Sequence, residues 1–296
     1  MLTPDTTLTL NNGIALPAFG LGVYRSSPAD TAQAVAAALG AGYRLIDTAS
    51  VYHNEAEVAE GMRAANVARD DVFVTTKLWI TEYGYDEALA AFDASQARLG
   101  LDVIDLYCLH WPLPVAFEQT LAAWQAAERL LAEGRVRAIG VCNFAPEHLE
   151  RLVERCTVVP AINQVERHPY FNQLALRREH AKRGIVTQAW SPIGGAARYR
   201  PDTPDPARDP LTDATLATIA AAHDKTPAHI MLRWHLQRGI AVVPKSIRPE
   251  RIADNIDVFD FALTETELET IDRLETGQRS GAAPDEVDFE YAARRH

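Results

Sequence analysis

Several things are scarce in this sequence. Cysteine occurs three times in 296 residues, at Cys108, Cys142 and Cys156, with no spacing that suits a metal site. Two of the three sit inside apolar, strand-like runs, so a reducing, cytoplasmic setting is expected rather than a disulfide framework. No apolar run approaches the roughly 20 residues that a membrane-spanning helix needs. The opening stretch MLTPDTTLTL has no basic start and no continuous apolar core, so it does not read as a secretory signal. Positive charge is also short, with 29 Lys and Arg against 40 Asp and Glu, a formal net charge of −11. That balance argues against a nucleic-acid or membrane-surface role and leaves room for a local basic pocket. A glycine-rich phosphate loop is missing too. Gly20-Leu21-Gly22 continues as Val23-Tyr24-Arg25, without the third glycine of G-x-G-x-x-G, and there is no P-loop.

What is present is apolar residue in quantity, 47 % of the chain, enough for a large core. The length suits one α/β barrel, and no linker or composition break divides residues 1–296 into domains. Two short alternating runs, Thr7–Leu10 and Ile14–Pro17, flank Asn11-Asn12-Gly13 and predict a hairpin. Eight β-type runs then follow: Ala18–Gly22, Arg44–Asp47, Val72–Lys77, Ile104–His110, Ala138–Cys142, Ala161–Gln164, Ile185–Trp190 and Ala241–Pro244. Helical patterns separate them, at Pro28–Leu39, Glu55–Ala65, Tyr85–Leu99, Phe117–Glu133, Pro146–Arg155, Leu174–Lys182, Leu211–His223 and Pro249–Asn255. Two helices exceed the repeat. Pro227–Gln237 follows the N-cap Thr226, and Thr264–Leu274 opens with a capping box and a Leu263/Leu268 staple. Tyr199–Asp213, with four prolines, predicts a long surface loop. The expected class is α/β, a (β/α)₈ TIM barrel with an N-terminal β-hairpin and two extra helices.

Polar residues recur at one end of these strands. Asp47, Lys77, His110 and Gln164 close strands two, three, four and six, while Asn143 and Lys245 follow strands five and eight. Each alone could be a loop cap, a solvated amine or a satisfied buried histidine. Six on one rim, at the end where such barrels carry their active sites, point to function. Asp47, Lys77 and His110 would converge with Tyr52. A free tyrosine has a pKa of about 10, too high for an efficient proton donor near neutrality, and a neighbouring ammonium stabilises the phenolate. Lys77 could supply the ammonium, Asp47 could hold it, and His110 could orient a substrate oxygen. The group suits protonation of a forming alkoxide. It contains no nucleophile with its base and no metal cluster, so the matching hydride implies a nicotinamide. A possible phosphate anchor is Pro244-Lys245-Ser246-Ile247-Arg248-Pro249-Glu250-Arg251, cations and a hydroxyl at a helix start.

At this point the sequence resembles the aldo-keto reductase superfamily over nearly its whole length. The matching runs are Gly20-Leu21-Gly22-Val23-Tyr24, Gly42 through Ala49, Tyr52-His53-Asn54-Glu55, Thr75-Thr76-Lys77-Leu78-Trp79 and Asp105 through Pro112. Later ones are Ile139 through Phe144, Asn163-Gln164-Val165-Glu166, and Lys245-Ser246 with Arg251-Ile252-Ala253-Asp254-Asn255. The likeness is greatest to the bacterial branch of 2,5-diketogluconate reductases. It implies NADPH-dependent reduction of aldehydes and ketones, with a catalytic tetrad of Asp47, Tyr52, Lys77 and His110. It implies a cofactor site in which Asn143 and Gln164 hold the carboxamide and Trp190 stacks on the nicotinamide. Gly22, Val23, Ser191 and Ile193 would border that site. Lys245, Ser246 and Arg251 would hold the 2′-phosphate, with Ile247 and Arg248 also at the cofactor, and Asp254 and Asn255 would hold the adenine. Tyr24, Trp79 and Trp111, with His110, would wall the substrate pocket, and no metal is implied. Trp124 and Trp234 read as core.

The sequence departs from the family pattern at Cys142, where a serine is common, and at Arg167 and His168, which read as structural. The loop after Pro112 and the tail after Gly277 are short, which predicts an open pocket. The expected partner is a small carbonyl compound, and the chain is expected to be a monomer or weak oligomer. A non-catalytic NADPH-binding member of the fold, regulatory or structural, is the alternative reading. A metal-dependent hydrolase on the same barrel is disfavoured, because no His-x-His pair or carboxylate–histidine cluster stands at the strand ends.

Overall fold

The structure, a computed structural model, describes residues 2–195 and 209–294. The predicted loop Tyr199–Asp213 therefore lies outside the described residues as far as position 208. The hairpin forms as expected: β1 (Thr7–Thr9) pairs antiparallel with β2 (Ala15–Pro17). Gly13, at φ +86°, donates its N–H to Leu10 O at 2.9 Å, a three-residue turn that needs the left-handed conformation.

Among the described residues, eight further strands form one parallel sheet in chain order. They are β3 (Leu21–Gly22), β4 (Leu45–Asp47), β5 (Phe73–Leu78), β6 (Ile104–Leu109), β7 (Val136–Cys142), β8 (Ile162–Glu166), β9 (Val186–Trp190) and β10 (Ala241–Val242). The sheet closes on itself. Val242 N donates to Ala18 O at 2.9 Å, Gly20 N to Val242 O at 2.9 Å, and Gly22 N to Pro244 O at 3.1 Å. The seam strands are shorter than predicted because pairing there thins to isolated bridges, and Pro244 has no N–H to give.

Helices fill the crossovers: α1 (Pro28–Gly40), α2 (Glu55–Ala65), α3 (Tyr85–Leu99), α4 (Phe117–Ala132), α5 (Pro146–Val153) and α6 (Leu174–Arg183). α7 (Ala214–Ala222) and α8 (Pro227–Gln237) lie between β9 and β10, followed by α9 (Pro249–Asn255), α10 (Glu265–Asp272) and α11 (Phe289–Ala293). α7 starts three residues later than predicted, since the Asp213 carboxylate caps it by accepting from Thr215 N and Leu216 N. The capping box of α10 forms as expected, and Leu263 and Leu268 are buried together. α11 carried no sequence signal.

Alternation along the strands sorts the residues. Ile46, Val74, Tyr107, Ile139 and Val165 face the helices in the main core. Leu45, Phe73, Leu106, Cys108, Ala138, Ile162 and Ala241 fill the barrel interior. Leu10 and Leu16 of the hairpin join that interior cluster. Asn11 Nδ2 donates to Pro160 O at 3.1 Å and Asn12 Nδ2 to Arg137 O at 2.9 Å, so the hairpin seals the end where the strands begin. Period two from Leu45, Phe73, Leu106 and Ile162 brings Asp47, Lys77, His110 and Gln164 inward at the other end. Trp124 and Trp234 are core as expected. Among the described residues no helix is long and apolar enough to cross a membrane.

His180 on α6 joins two strands from outside. Asn163 Nδ2 donates to its Nε2 at 2.9 Å, and its Nδ1 lies 2.8 Å from Thr187 Oγ1, a pattern that suits the neutral ring. Burial, with help from Arg177 and Arg183, pushes its pKa down to about 4. The unfolded ring titrates near 6.5, so between those values only the unfolded chain binds the proton. Stability from this group is complete above pH 6.5 and is lost as pH falls towards 4. The melting temperature of the wild type should fall between pH 7 and pH 5. His180→Gln should flatten that slope by about one proton's worth, and an unchanged slope would show that His180 is not the group involved.

Candidate active site

A cavity of about 780 Å³ opens where the strands end, within the size range of small-molecule sites. At its floor Lys77 is fully buried. Its Nζ donates to Asp47 Oδ1 at 2.5 Å, to Asp47 Oδ2 at 2.8 Å and to Thr48 O at 2.8 Å. Gln164 reaches across from β8, its Nε2 donating to Asp47 Oδ2 at 2.7 Å and to Gln188 Oε1 at 2.8 Å. A carboxylate and an ammonium out of water cost several kcal/mol each unless such partners are supplied.

Tyr52 ends a single 3₁₀ turn, Ser50–Tyr52, closed by His53 in the left-handed conformation at φ +54°. The turn carries the phenol over the pair, with Lys77 Nζ 5.2 Å from the ring centre. Tyr52 Oη lies 3.5 Å from His110 Nε2. His110 is held by its backbone, its N–H to Leu78 O at 3.0 Å and its carbonyl to Asn143 Nδ2 at 3.0 Å. Burial, and then the charge of Lys77, push the pKa of His110 well below the usual histidine range. The imidazole is therefore neutral at physiological pH. Its Nδ1 is buried with no hydrogen-bond partner among the described residues. Because a buried unpaired N–H costs more than an unpaired lone pair, the proton belongs on Nε2, facing Tyr52.

Aromatic rings stand around this point. Tyr24 lies 5.0 Å from Tyr52 and Trp79 lies 5.2 Å from His110, centre to centre, and Trp111 completes the wall. Asn143 and Ser191 follow their strands at φ +64° and +48°, left-handed backbone that turns both into the cavity. Trp190 Nε1 donates to Asn143 Oδ1 at 2.8 Å. Gly22, Ile193, Lys245 and Arg251 also line the cavity. At Gly22 an added Cβ would approach Val243 O to 3.0 Å, a tight contact that a larger residue could make only if the backbone there gave way by a few tenths of an ångström.

Other expected residues are not cavity walls. Lys77 sits behind the surface, and Val23 is core. Ser246 turns back to accept from Arg248 N at 3.1 Å, and Arg248 serves as the N-cap residue of α9. Ile247 is half-buried outside the lining, Asp254 Oδ2 lies 3.3 Å from His229 Nε2, and Asn255 is buried. The short tail reaches the cavity. It returns across the rim, and Gly281, Ala282, Tyr291 and Arg294 line the cavity with Arg25. Nothing periodic in residues 277–283 signals that return. Among the described residues no three His, Cys, Asp or Glu side chains are grouped to hold a metal. Two carboxamides, an indole and four cationic side chains, Arg25, Lys245, Arg251 and Arg294, on one cavity fit a nicotinamide dinucleotide, with its ring, amide and phosphates.

Comparison with known proteins agrees with this geometry. The model of the aldo/keto reductase family matches residues 16–276. Morphine 6-dehydrogenase of Pseudomonas putida is 52 % identical over 282 residues, 95 % of each chain. Glyoxal reductase of Bacillus subtilis is 41 % identical, over 96 % of this chain and 98 % of that one. A Bombyx mori aldo-keto reductase solved in complex with NADP superposes with a TM-score of 0.87 at 35 % identity, covering 98 % of this chain and 99 % of its own. The finer likeness to 2,5-diketogluconate reductases gains no support from these matches. The chain belongs to the aldo/keto reductase family.

Proposed function

We propose that this protein reduces aldehydes and ketones to alcohols with NADPH, Tyr52 donating the proton. The observation that carries this reading is the convergence of Tyr52, neutral His110 and the buried Lys77–Asp47 pair on one cavity. NADPH, when bound, supplies the hydride. Asn143 and Gln164 would hold its carboxamide and Trp190 its ring face, with Lys245 and Arg251 at the 2′-phosphate. His110 would donate from Nε2 to the substrate oxygen and fix it beside Tyr52 Oη. The phenol would then deliver its proton as negative charge grows on that oxygen, and the fixed ammonium of Lys77 would offset the charge left on the phenolate. The alternative of a non-catalytic member gains no specific observation, since none of these groups is missing or displaced.

Tyr52→Phe keeps the ring and removes the donor. Turnover should fall by roughly 10²–10⁴, the usual worth of a general acid, with NADPH affinity nearly unchanged. Turnover within a few-fold of wild type would rule out the role.

The wall built by Tyr24, Trp79 and Trp111 offers area and few directional bonds, which favours a broad range of carbonyl compounds. Among the relatives, the names morphine 6-dehydrogenase and glyoxal reductase already span a bulky compound and a very small one. Several unrelated aldehydes and α-dicarbonyls should be reduced at measurable rates. Activity confined to one compound in a broad panel would defeat the idea.

Lys245 and Arg251 are the cavity cations on the phosphate side of this reading. Both are partly solvated, so their contacts are worth less than buried ones. Replacing both with alanine should weaken NADPH binding by about one to two decades and leave NADH binding almost unchanged. Dissociation constants for both cofactors decide it: equal weakening would mean that the pair shapes the site without reading the phosphate.

A further inference from the structure

The segment that returns across the cavity is held by one carboxylate outside the tetrad. Glu166 ends β8 and is fully buried. Its Oε1 accepts from Ser280 N at 2.5 Å, and its Oε2 accepts from Gly281 N at 3.1 Å. His168 Nε2 lies 3.2 Å from Oε1, and Arg279 Nη1 lies 3.6 Å from Oε2. Burial pulls the carboxyl pKa upward, but His168, the Ser280 amide and Arg279 outweigh it and hold the group ionised. A buried charge is costly unless fully paired, and here the pairing is spent largely on two backbone amides more than a hundred residues away.

Those amides bring the chain against Trp190. A Cβ on Gly281 would stand 2.6 Å from Trp190 Cη2, so only glycine fits between the indole and the carboxylate. Glu166 and Trp190 are neighbours in register on β8 and β9, and Arg167 N donates to Trp190 O at 3.2 Å. The far edge of the indole is tied to Asn143, whose own amide holds the His110 carbonyl. The ring is thus fixed from two directions, by Asn143 on one side and by the tail backbone on the other. Ala282 and Tyr291, which line the cavity, follow from the same anchor.

We propose that Glu166 is a positioning residue: by holding the Ser280 and Gly281 amides it presses the tail backbone onto Trp190 and sets the indole as a wall of the cofactor site. The inference rests on the reading above, in which Trp190 meets the nicotinamide. Glu166→Gln keeps the size of the side chain but turns an NH₂ group towards one of the two amides. In the ligand-free protein, trypsin cleavage after Arg279 should accelerate, and the emission of Trp190, isolated by difference against Trp190→Phe, should shift to the red. With cofactor, NADPH release measured by stopped flow should quicken by about tenfold, the worth of one charge-assisted hydrogen bond. Glu166→Asp should recover part of each change. Gly281→Val, with Glu166 intact, should reproduce the emission shift and the faster release by displacing the indole directly, so the test survives a poorly folding Glu166 variant. A lowered melting temperature with unchanged Trp190 emission and unchanged NADPH release would overturn the proposal and leave Glu166 as a structural tether. If the wild type fails to reduce carbonyls, the functional reading falls, while proteolysis and Trp190 emission without cofactor still decide whether Glu166 sets the wall.

Discussion

Burying Lys77 is the constraint on which the rim depends. The ammonium is closed off from the surface and satisfies its charge through Asp47 on the next strand and the Thr48 carbonyl. Asp47 in turn is completed by Gln164, which comes from β8 on the far side of the barrel. The pair therefore requires β4 and β5 in register and the sheet closed to a width that Gln164 can span. Low dielectric makes this arrangement strong when complete and expensive when partial. The same charge helps to keep His110 neutral, so one interaction sets both the fixed positive centre and the state of its neighbour.

Much of this was legible in the sequence because the strands obey period two. An apolar run that ends on Asp47, Lys77, His110 or Gln164 announces both a buried strand and a polar residue at its open end. The hairpin was readable from Asn11-Asn12-Gly13, since only a few residues tolerate the backbone that the turn needs. Helix starts were readable where a cap and its acceptor lie three residues apart, as at Thr264 and Glu267.

What escaped has a common cause. The anchoring of the tail joins Glu166 to Ser280 and Gly281 across 114 and 115 residues, and no local pattern encodes a contact of that separation. Likewise, Ser246 Oγ accepts from the backbone N–H of Arg248 and Asp254 Oδ2 lies beside His229, contacts that residue type and spacing alone do not specify. Residue type and spacing predict which groups share a neighbourhood. They do not fix which way each one faces when competing partners lie within reach.

The hairpin decides from which side the cavity is reached. Leu10 and Leu16 close the base of the barrel, and the interior above them is packed with side chains, so no route to the cavity runs through the barrel. A molecule seated against the buried carboxamides of Asn143 and Gln164 therefore enters and leaves on the rim side. That sidedness is set by a pair of short strands at the opposite end of the barrel from the cavity.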